Sequence, residues 1–310
     1  MIHKRRIQLK CYEINNFYDY LNILNNIKKG ELWFRGQSSA QYALIPGILR
    51  NVVEISDAYG RSKNNVEADL RYGRGEKITY LNWEILLNDF KEEVNDIIPI
   101  KPQNDMAWLC LAQHYGILTP LLDWSTDPLV ALYFAISGVD KDLYENDIIQ
   151  NRSYQEVDSY LEYKDNCAAV YIIDPIKMNS NLPIKNWKPD VFTIDYDSDF
   201  NLELMNRFSP PFCIRGEKND KRMCRQSGNF TVHCKFTKPI DYIDGLRNDI
   251  TKIIIPYEII EELMDTLITL DVTSESLYFG TDIKDKKAQQ IKKEYLDDFK
   301  NKYNDAFTNN

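Results

Sequence analysis

The first residues along the chain that could bind a ligand lie at 33–37, where an arginine follows two aromatic residues and precedes a glycine. In a strand, Trp33 and Arg35 share one face. A guanidinium group there can hold a phosphate through paired hydrogen bonds, and Gly36 lets a ligand approach the backbone closely. The alternative is a partly buried Arg35 that only pairs with a structural carboxylate such as Asp123.

Two side chains that can bond a ligand, His114 and Tyr115, lie at the end of a predicted helix that closes at Gly116. His114 can donate a hydrogen bond or move a proton, and Tyr115 can contact the same ligand. A histidine at a helix C-terminus is also explained by its interaction with the last carbonyl groups, and a tyrosine by burial in the core. The spacing leaves both alternatives open.

A carboxylate and two hydroxyl groups follow a few residues later. Asp123 comes after two leucines and before a tryptophan, so it needs a partner, for which Arg35 is the candidate. Asp123 is therefore either a ligand contact or a salt-bridge anchor. Ser125 and Thr126 can bind ligand hydroxyl groups, although capping of the next helix by Thr126 or Asp127 is the commoner use.

The composition limits the classes of protein to which this chain can belong. With 38 Lys and Arg against 47 Asp and Glu, the net charge is −9, which argues against a surface that binds nucleic acid over its whole extent. A hydrophobic content of 44% excludes intrinsic disorder. No apolar run approaches the roughly 20 residues of a membrane-spanning helix, and none follows the basic residues near the N-terminus. We therefore expect a cytoplasmic protein without a secretory signal.

The cysteines and histidines offer little for metal binding. Cys213, Cys224, His233 and Cys234 match no standard set of zinc-ligand spacings, so we predict reduced thiols and no metal site. The sequence also lacks the P-loop and nucleophile-elbow motifs, and its one GxG lies in a polar segment rather than after a strand.

The elements that must position these side chains follow from hydrophobic periodicity and capping residues. They predict one α+β domain over residues 1–310, with helices interleaved early and strands dominating late. Two polar segments, about 57–75 and 138–166, are expected to be insertions, and a charged helix is expected at about 282–306. Helices are predicted at 17–29, 76–98, 106–115, 129–137 and 257–270, and strands at 32–35, 117–124, 168–174, 191–196, 212–215, 223–236 and 251–255.

Several motifs in one order resemble the bacterial FRG domain, a family named for its Phe-Arg-Gly motif. The resemblance extends over about residues 30–285, which we take as the motif-bearing core. The motifs that carry it lie at 33–37 (Trp-Phe-Arg-Gly-Gln), 111–116 (Leu-Ala-Gln-His-Tyr-Gly), 121–125 (Leu-Leu-Asp-Trp-Ser), 127–135, 222–230 and 252–256.

The order of motifs also bears a weaker resemblance to the ADP-ribosyltransferase superfamily. Its Arg-Gly motif is matched at 35–36, and its middle motif by Ser-Thr at 125–126 leading into Tyr-Phe-Ala at 133–135. Gln226 stands at the late-strand motif, with Gly228 where the superfamily has a catalytic glutamate. This resemblance implies a single domain with a split antiparallel β core and flanking helices, and it implies NAD as a substrate.

The resemblance also implies roles for individual side chains. ADP-ribosyl transfer breaks the bond between nicotinamide and ribose through a transition state that resembles an oxocarbenium ion, as in glycoside cleavage. Arg35, His114 and Gln226 are then the expected catalytic residues, with Gln226 holding the acceptor or the ribose. Glu217 and Glu275 are spare carboxylates that could replace the missing glutamate. The expected NAD-binding residues are Arg35, Gly36, Gln37, Tyr115, Asp123, Ser125 and Thr126.

The function implied is that of an NAD-dependent toxin or anti-phage effector that modifies a nucleic acid or a protein. Such a protein needs a neutralising partner, an antitoxin, in its own cell. Two alternatives stay open: a non-catalytic module that binds RNA or protein, and a hydrolase that uses Asp123 and His114. A basic cluster that could guide an RNA or DNA acceptor comprises Lys218, Lys221, Arg222 and Arg225.

Overall fold

The described part of the chain forms one large and one small β-sheet, with helices packed against the large sheet. A computed structural model describes the chain at 9–27, 30–50, 53–54, 70–72, 76–79, 83–96, 98, 101–139, 166–182, 191–193, 211–216, 228–233 and 239–277, and at the helical positions 287, 290–291, 293–294 and 297. The strands are β1 Lys10–Glu13, β2 Trp33–Gln37, β3 Val53–Glu54, β4 Leu70–Tyr72, β5 Glu76–Thr79, β6 Leu121–Ser125, β7 Cys167–Ile173, β8 Phe192–Thr193, β9 Phe212–Arg215, β10 Gly228–Val232 and β11 Ile250–Pro256.

Antiparallel pairing dominates the large sheet. Its eight strands lie in the order β1-β11-β7-β2-β6-β10-β9-β8, and the small sheet has the order β3-β5-β4. In the large sheet β1 pairs with β11 and β8 pairs with β9 in parallel, and the other five pairs of neighbours are antiparallel. The expected combination of helices with a mostly antiparallel sheet is confirmed.

Side-chain caps start three of the longer helices, although α3 begins at Asp105, one residue before the predicted start. Asn16 and Asn104 cap α1 and α3 through their side-chain oxygens. Asp127, rather than Thr126, caps α4 by accepting two main-chain N–H groups of the first turn, and Pro128 opens that helix, where its missing N–H costs nothing. The helices are α1 Phe17–Asn26, α2 Trp83–Val94, α3 Asp105–His114, α4 Pro128–Ser137, α5 Pro175–Asn179, α6 Asp244–Arg247, α7 Ile260–Thr269 and α8 Ser274–Leu277.

Two groups of helices cover adjacent halves of the same face of the large sheet. Phe34 on β2 packs in a cluster with α1, α4 and α7, whereas Leu121 on β6 packs in a cluster with α2 and α3. Phe34 pairs with Ser125 on β6, and Leu121 points to the same side as Ser125 because side chains alternate along a strand. The opposite face carries a third cluster that includes Trp33 and Trp124.

The halves of the sheet meet at a narrow seam between β2 and β6. These two strands share a single registered pair, Phe34 with Ser125. On either side the pairing is continuous, with five registered pairs between β2 and β7 and five between β6 and β10. Beyond the single pair the two strands are no longer joined by ladder hydrogen bonds, so the sheet opens there into a wedge between α3 and α4.

Some predicted elements were wrong in type or in extent. The segment Glu76–Thr79 was expected to start a long helix, but it is strand β5, and the helix begins only at Trp83. Pairing of β5 with both β3 and β4 supplies hydrogen bonds that local periodicity does not register. Strand β1 was not predicted, because its parallel pairing with β11 is a long-range contact. Helix α1 ends at Asn26, before Gly30.

The predicted insertions and the predicted C-terminal helix are described only in part. Residues 55–69 and 140–165, which contain most of the expected insertions, lie outside the described residues. In the expected helix at about 282–306, the positions described between 287 and 297 are helical. The division of the chain into a single domain stays a prediction. Among the residues that the structure describes, no helix is long and apolar enough to cross a membrane.

Candidate functional site

A cavity of about 420 Å³ opens at the seam between β2 and β6, where the end of α3 faces α4. Its volume lies within the range of small-molecule sites in proteins. Aromatic side chains line it beside charged groups and amides, a combination that can hold a ring and an anion together. The lining residues are Phe34, Arg35, Gly36, Gln37, Ser38, Tyr42, Arg50, Gln113, His114, Asp123, Trp124, Ser125, Ala131, Phe134, Gly228 and Phe230.

Arg35 bridges the seam where the two strands diverge. Its Nη1 donates a hydrogen bond of 2.9 Å to the main-chain carbonyl of Asp123 and lies 3.8 Å from Oδ2 of the same residue. The side chain is 15% exposed, so it is largely enclosed yet reaches the cavity. Its Nε has no hydrogen-bond partner among the described residues. Arg35 therefore joins the two strands and also places a positive charge in the cavity wall, so the structure is compatible with both a structural role and a ligand-binding role.

Arg50 supplies a second guanidinium group to the cavity from the loop that follows β2. Burial lowers the pKa of Arg35 to about 10; Asp123 opposes this shift, and the positive charge of Arg50 adds to it. Desolvation also lowers the pKa of Arg50, again against the opposing effect of Asp123. Both groups stay charged at neutral pH. Within the described lining, two guanidinium groups face one carboxylate, which favours an anionic ligand.

Asp123 is fixed by a chain of side-chain hydrogen bonds that starts at the end of α3. The amide Nε2 of Gln113 donates to Oδ2 of Asp123 at 2.8 Å, and Oγ1 of Thr119 donates to Oε1 of Gln113 at 2.6 Å. The N–H of Leu121 donates to the same Thr119 oxygen at 3.2 Å. The Asp123 side chain is 55% exposed, and its Oδ1 makes no hydrogen bond within the described part of the chain. One oxygen is therefore held by Gln113, and the exposed carboxylate borders the cavity.

The structure explains why position 36 is a glycine, which the sequence alone did not. A Cβ atom added at this position would lie 2.1 Å from the carbonyl oxygen of Ala131 and 2.4 Å from the main-chain nitrogen of Ala135. Both atoms belong to the backbone of α4, so a glycine is required for the helix to lie directly on β2. Gly36 borders the cavity, but the space beside its Cα is filled by the helix, which corrects the expectation that this space admits a ligand.

A buried lysine holds the loop 38–50, which contributes residues to the cavity, onto the large sheet. Lys252 on β11 is 2% exposed. Its Nζ donates to the carbonyl of Ala40 and lies 4.9 Å from the centroid of the Tyr171 ring. Tyr171 in turn donates its hydroxyl to the carbonyl of Tyr42 at 3.0 Å. These contacts fix the loop backbone beside the cavity.

A buried carboxylate supports the same loop from a different element. Asp241 accepts the main-chain N–H of Leu44 at 2.9 Å. Burial raises the pKa of Asp241 to about 6, and the Leu44 hydrogen bond and the positive charge of Lys252 oppose this shift. Leu44 also accepts the N–H of Ile240 at 3.1 Å, so this turn of the loop is bonded through both of its polar main-chain groups.

Three further residues named from the sequence line the cavity: Gln37, His114 and Ser125. Gln37 is buried and donates through Nε2 to the carbonyl of Ala43 at 3.5 Å. Oγ of Ser125 accepts the main-chain N–H two residues further on at 3.0 Å. The ring of His114 packs edge-on against that of Tyr115, with 4.9 Å between the centroids.

Two residues named from the sequence lie away from the cavity lining. Tyr115 is 5% exposed and packs against Phe90 at 6.1 Å between ring centroids, which is the core position that the sequence left open. Thr126 is exposed beyond the end of β6.

The remaining residues named from the sequence lie in the late part of the chain. Gln226, Glu217 and the basic cluster at 218–225 lie outside the described residues. Glu275 is exposed on α8 and does not line the cavity.

Sequence reasoning missed several lining residues, of which Arg50 and Gln113 have the clearest chemistry. Gln113 precedes His114 in the motif at 111–116, so the motif itself was a usable signal. Arg50 lies in no motif that we identified, and only the path of the loop brings it to the cavity. Tyr42 reaches the lining from the same loop.

His233, at the end of β10, is a buried polar group close to the site. It is 1% exposed, and neither ring nitrogen has a hydrogen-bond partner among the described residues. Burial, followed by the positive charge of Arg35, lowers the pKa of His233 to about 3, so the ring is neutral at physiological pH. In the described ranges, no group of three or more His, Cys, Asp or Glu residues is placed to hold a metal ion.

Comparison with known proteins identifies one segment of the chain. A family model described as the FRG domain matches residues 30–143. That segment contains β2, α3, β6 and α4, four of the elements that border the cavity, whereas β10, which also borders it, lies outside the match. Neither the curated proteins nor the solved structures provide a match to this chain.

Proposed function

Residues 30–143 of this chain are an FRG domain, and we propose that the protein is an ADP-ribosyltransferase-like enzyme that binds NAD in the cavity between β2 and β6. The observation that supports this most directly is the position of Arg35. Its guanidinium group faces a cavity of ligand size, with a second arginine in the same wall. A dinucleotide combines aromatic rings, ribose hydroxyls and a pyrophosphate, and the cavity offers partners for each.

The proposed reaction sets out what the side chains must do. The bond between ribose C1′ and the nicotinamide nitrogen breaks, and its electron pair passes to the pyridinium ring, which leaves as neutral nicotinamide. An acceptor hydroxyl or amine, or water, then bonds to C1′ and releases its proton. In this proposal Arg35 and Arg50 hold the pyrophosphate, His114 hydrogen-bonds the ligand, and Gln226 keeps its expected role toward the acceptor or the ribose.

Two features of the sheet support an ADP-ribosyltransferase-like architecture. A split β core was expected, and the two halves of this sheet are joined at one registered pair, with the cavity in the gap beyond it. Gly228, which stands where the superfamily has its glutamate, lines the same cavity as Arg35. Arg35 and Gly228, which belong to the first and the last of the matched motifs, therefore border the same cavity.

The acceptor and the biological setting follow from the resemblance. We propose action inside the cell on a nucleic acid or protein acceptor, as a toxin or anti-phage effector that an antitoxin neutralises. Incubating the protein with labelled NAD and, separately, RNA, DNA and lysate protein identifies the acceptor by which fraction retains label. Label in none of the fractions, together with free ADP-ribose, would assign the activity to NAD hydrolysis instead of transfer.

The test of the proposal compares two arginine variants. We expect Arg35→Gln to weaken NAD binding, measured by calorimetry, at least about tenfold, the loss expected for one charged hydrogen-bond partner, and to abolish nicotinamide release. Arg215→Gln is the matched control, because Arg215 lies on the same sheet and pairs with Glu31 outside the cavity lining. Circular dichroism and urea unfolding check that both variants fold. Wild-type protein that neither binds NAD nor releases nicotinamide contradicts the proposal.

The hydrogen bond from Arg35 to the Asp123 carbonyl favours one alternative, a non-catalytic module that binds RNA or protein. In that case Arg35 serves only to join β2 to β6. Arg35→Gln would then lower the free energy of unfolding by the roughly 1.5–3 kcal/mol of a charged hydrogen bond, and the wild-type protein would bind RNA or a protein without any effect of NAD.

A further inference from the structure

The late strand lacks the carboxylate that the proposed reaction needs. Gly228 stands at the position of the superfamily's glutamate, and it borders the cavity without a side chain. A departing nicotinamide leaves positive charge at C1′ and the ring oxygen of the ribose, which a fixed negative charge stabilises. Among the residues described in the cavity lining, the one carboxylate is that of Asp123.

Asp123 lies on the strand next to β10 and on the same side of the sheet as position 228. It is paired in register with Phe230, and Gly228 is paired with Ser125. Paired residues share a face, and alternate residues of one strand share a face. A carboxylate at Asp123 therefore projects from the sheet into the same space that a side chain at position 228 would enter, but from the neighbouring strand.

Hydrogen bonding fixes this carboxylate before any ligand binds. Gln113 occupies Oδ2 at 2.8 Å, and Thr119 orients the Gln113 amide by donating to its oxygen at 2.6 Å. Because Oε1 of Gln113 accepts the hydrogen bond from the Thr119 hydroxyl, the NH₂ group of Gln113 must face Asp123. Oδ1 makes no hydrogen bond to the described residues, and the Asp123 side chain borders the cavity. A preorganised charge of this kind stabilises a transition state without reorganising during the reaction.

We propose that Asp123 is the catalytic carboxylate of this enzyme, replacing the missing glutamate, and that Gln113 positions it. This inference rests on the proposed function. Oδ1 accepts a hydrogen bond from a hydroxyl of the nicotinamide ribose and stabilises the charge on C1′ while the bond to nicotinamide breaks. Asp123 forms no covalent bond, and the acceptor's proton leaves to solvent as the new bond to C1′ forms.

The first test is Asp123→Asn, which keeps the size of the side chain and one acceptor oxygen for Gln113, but replaces the second oxygen with an NH₂ group and removes the charge. We expect kcat for nicotinamide release to fall about 100- to 1000-fold, as when a preorganised electrostatic group is removed. The Kd for NAD should stay within about threefold of wild type or become tighter, because one negative charge leaves an anion site. Asp265→Asn, on the exposed side of α7 outside the cavity lining, is the control and should match wild type.

The second test examines Gln113 through the pH–rate profile, because unfolding of a variant would lower the rate without shifting that profile. Gln113→Glu can still accept the Thr119 hydroxyl but places a second carboxylate against Asp123. Two carboxylates in one site raise one apparent pKa strongly, so the acid limb of the pH–rate profile should move upward by about one unit or more. Gln113→Met removes both hydrogen bonds and should lower kcat without moving that limb.

The outcomes separate this inference from the function on which it rests. Wild-type protein that turns over NAD while Asp123→Asn retains its kcat overturns the role of Asp123 and leaves the proposed function standing. An unchanged pH profile in Gln113→Glu overturns the positioning role. If wild-type protein binds no NAD and releases no nicotinamide with any acceptor fraction, the proposed function fails and this inference fails with it.

Discussion

The packing of Gly36 against α4 gives a prediction whose size follows from distances. Adding one methyl group in Gly36→Ala places a carbon 2.1 Å from the Ala131 oxygen and 2.4 Å from the Ala135 nitrogen. Ordinary contact between non-bonded atoms needs about 3.5 Å, so α4 must move by at least about 1 Å from β2. Neither contact can be relieved by rotating a side chain, because both atoms are main-chain atoms within a helix.

The cost of this displacement should be large for a single methyl group. Overpacking of a core costs typically about 1–3 kcal/mol, and we expect Gly36→Ala to reach about 3 kcal/mol because the obstacle is rigid backbone. The free energy of unfolding is obtained from urea denaturation followed by tryptophan fluorescence. Ala131 and Phe134 on α4 line the cavity, so the same shift should weaken NAD binding measured by calorimetry.

A matched glycine separates this clash from a general effect of adding alanine. Gly245 lies in α6, and a Cβ atom there meets nothing within 4 Å. Gly245→Ala should be neutral or stabilising by up to about 1 kcal/mol, because alanine restricts the unfolded chain. If the free energy of unfolding of Gly36→Ala lies within about 0.5 kcal/mol of the wild-type value, the inferred packing of α4 on β2 is wrong.

Three further predictions concern charged and ionisable groups. Arg50→Gln should weaken NAD or ADP-ribose binding about tenfold and lower the urea stability by no more than about 1 kcal/mol, because the described contact it loses within the protein is one long hydrogen bond, of 3.4 Å, to the Ile45 carbonyl; unaltered affinity in calorimetry would remove it from the proposed anion site. The pKa of His233 is about 3 in the folded protein and about 6.5 when unfolded, so the unfolded state takes up a proton between these values and stability falls on acidification. Urea titrations should therefore show His233→Phe gaining on wild type by roughly 1.4 kcal/mol per pH unit below about 6.5, and parallel curves would refute this. Lys252→Met should cost about 1–3 kcal/mol, because it leaves the buried Ala40 carbonyl without its donor and removes one of two positive charges, the other being Arg247, that favour the ionised form of buried Asp241; a loss no larger than that of an exposed lysine variant such as Lys10→Met would argue against the anchoring role.

Much of the site could be predicted from local sequence because its key residues lie in short motifs. Arg35, His114, Asp123 and Ser125 were chosen by residue type and position, and all four line one cavity. Tyr115 shows the limit of the same reasoning, because a helix end can present its last residues either to a cavity or to the core. The choice depended on the packing of Tyr115 against α2.

The sequence by itself determined the features that depend on neighbours along the chain. The proline that opens α4 and the strand containing Arg35 follow from preferences within a few residues, whereas the sequence left the cap of α4 open between Thr126 and Asp127. The match of residues 30–143 to the FRG-domain model likewise depends on motifs that need no coordinates.

Only the tertiary structure decided how these pieces form a site. The single registered pair between β2 and β6 opens the wedge, Gln113 reaches Asp123 from α3, and the loop bonded to Lys252 brings Arg50 to the wall. Each of these is a contact between separate elements. The free energy of such a contact depends on where several other strands and helices lie, and no local pattern of residues encodes that distance.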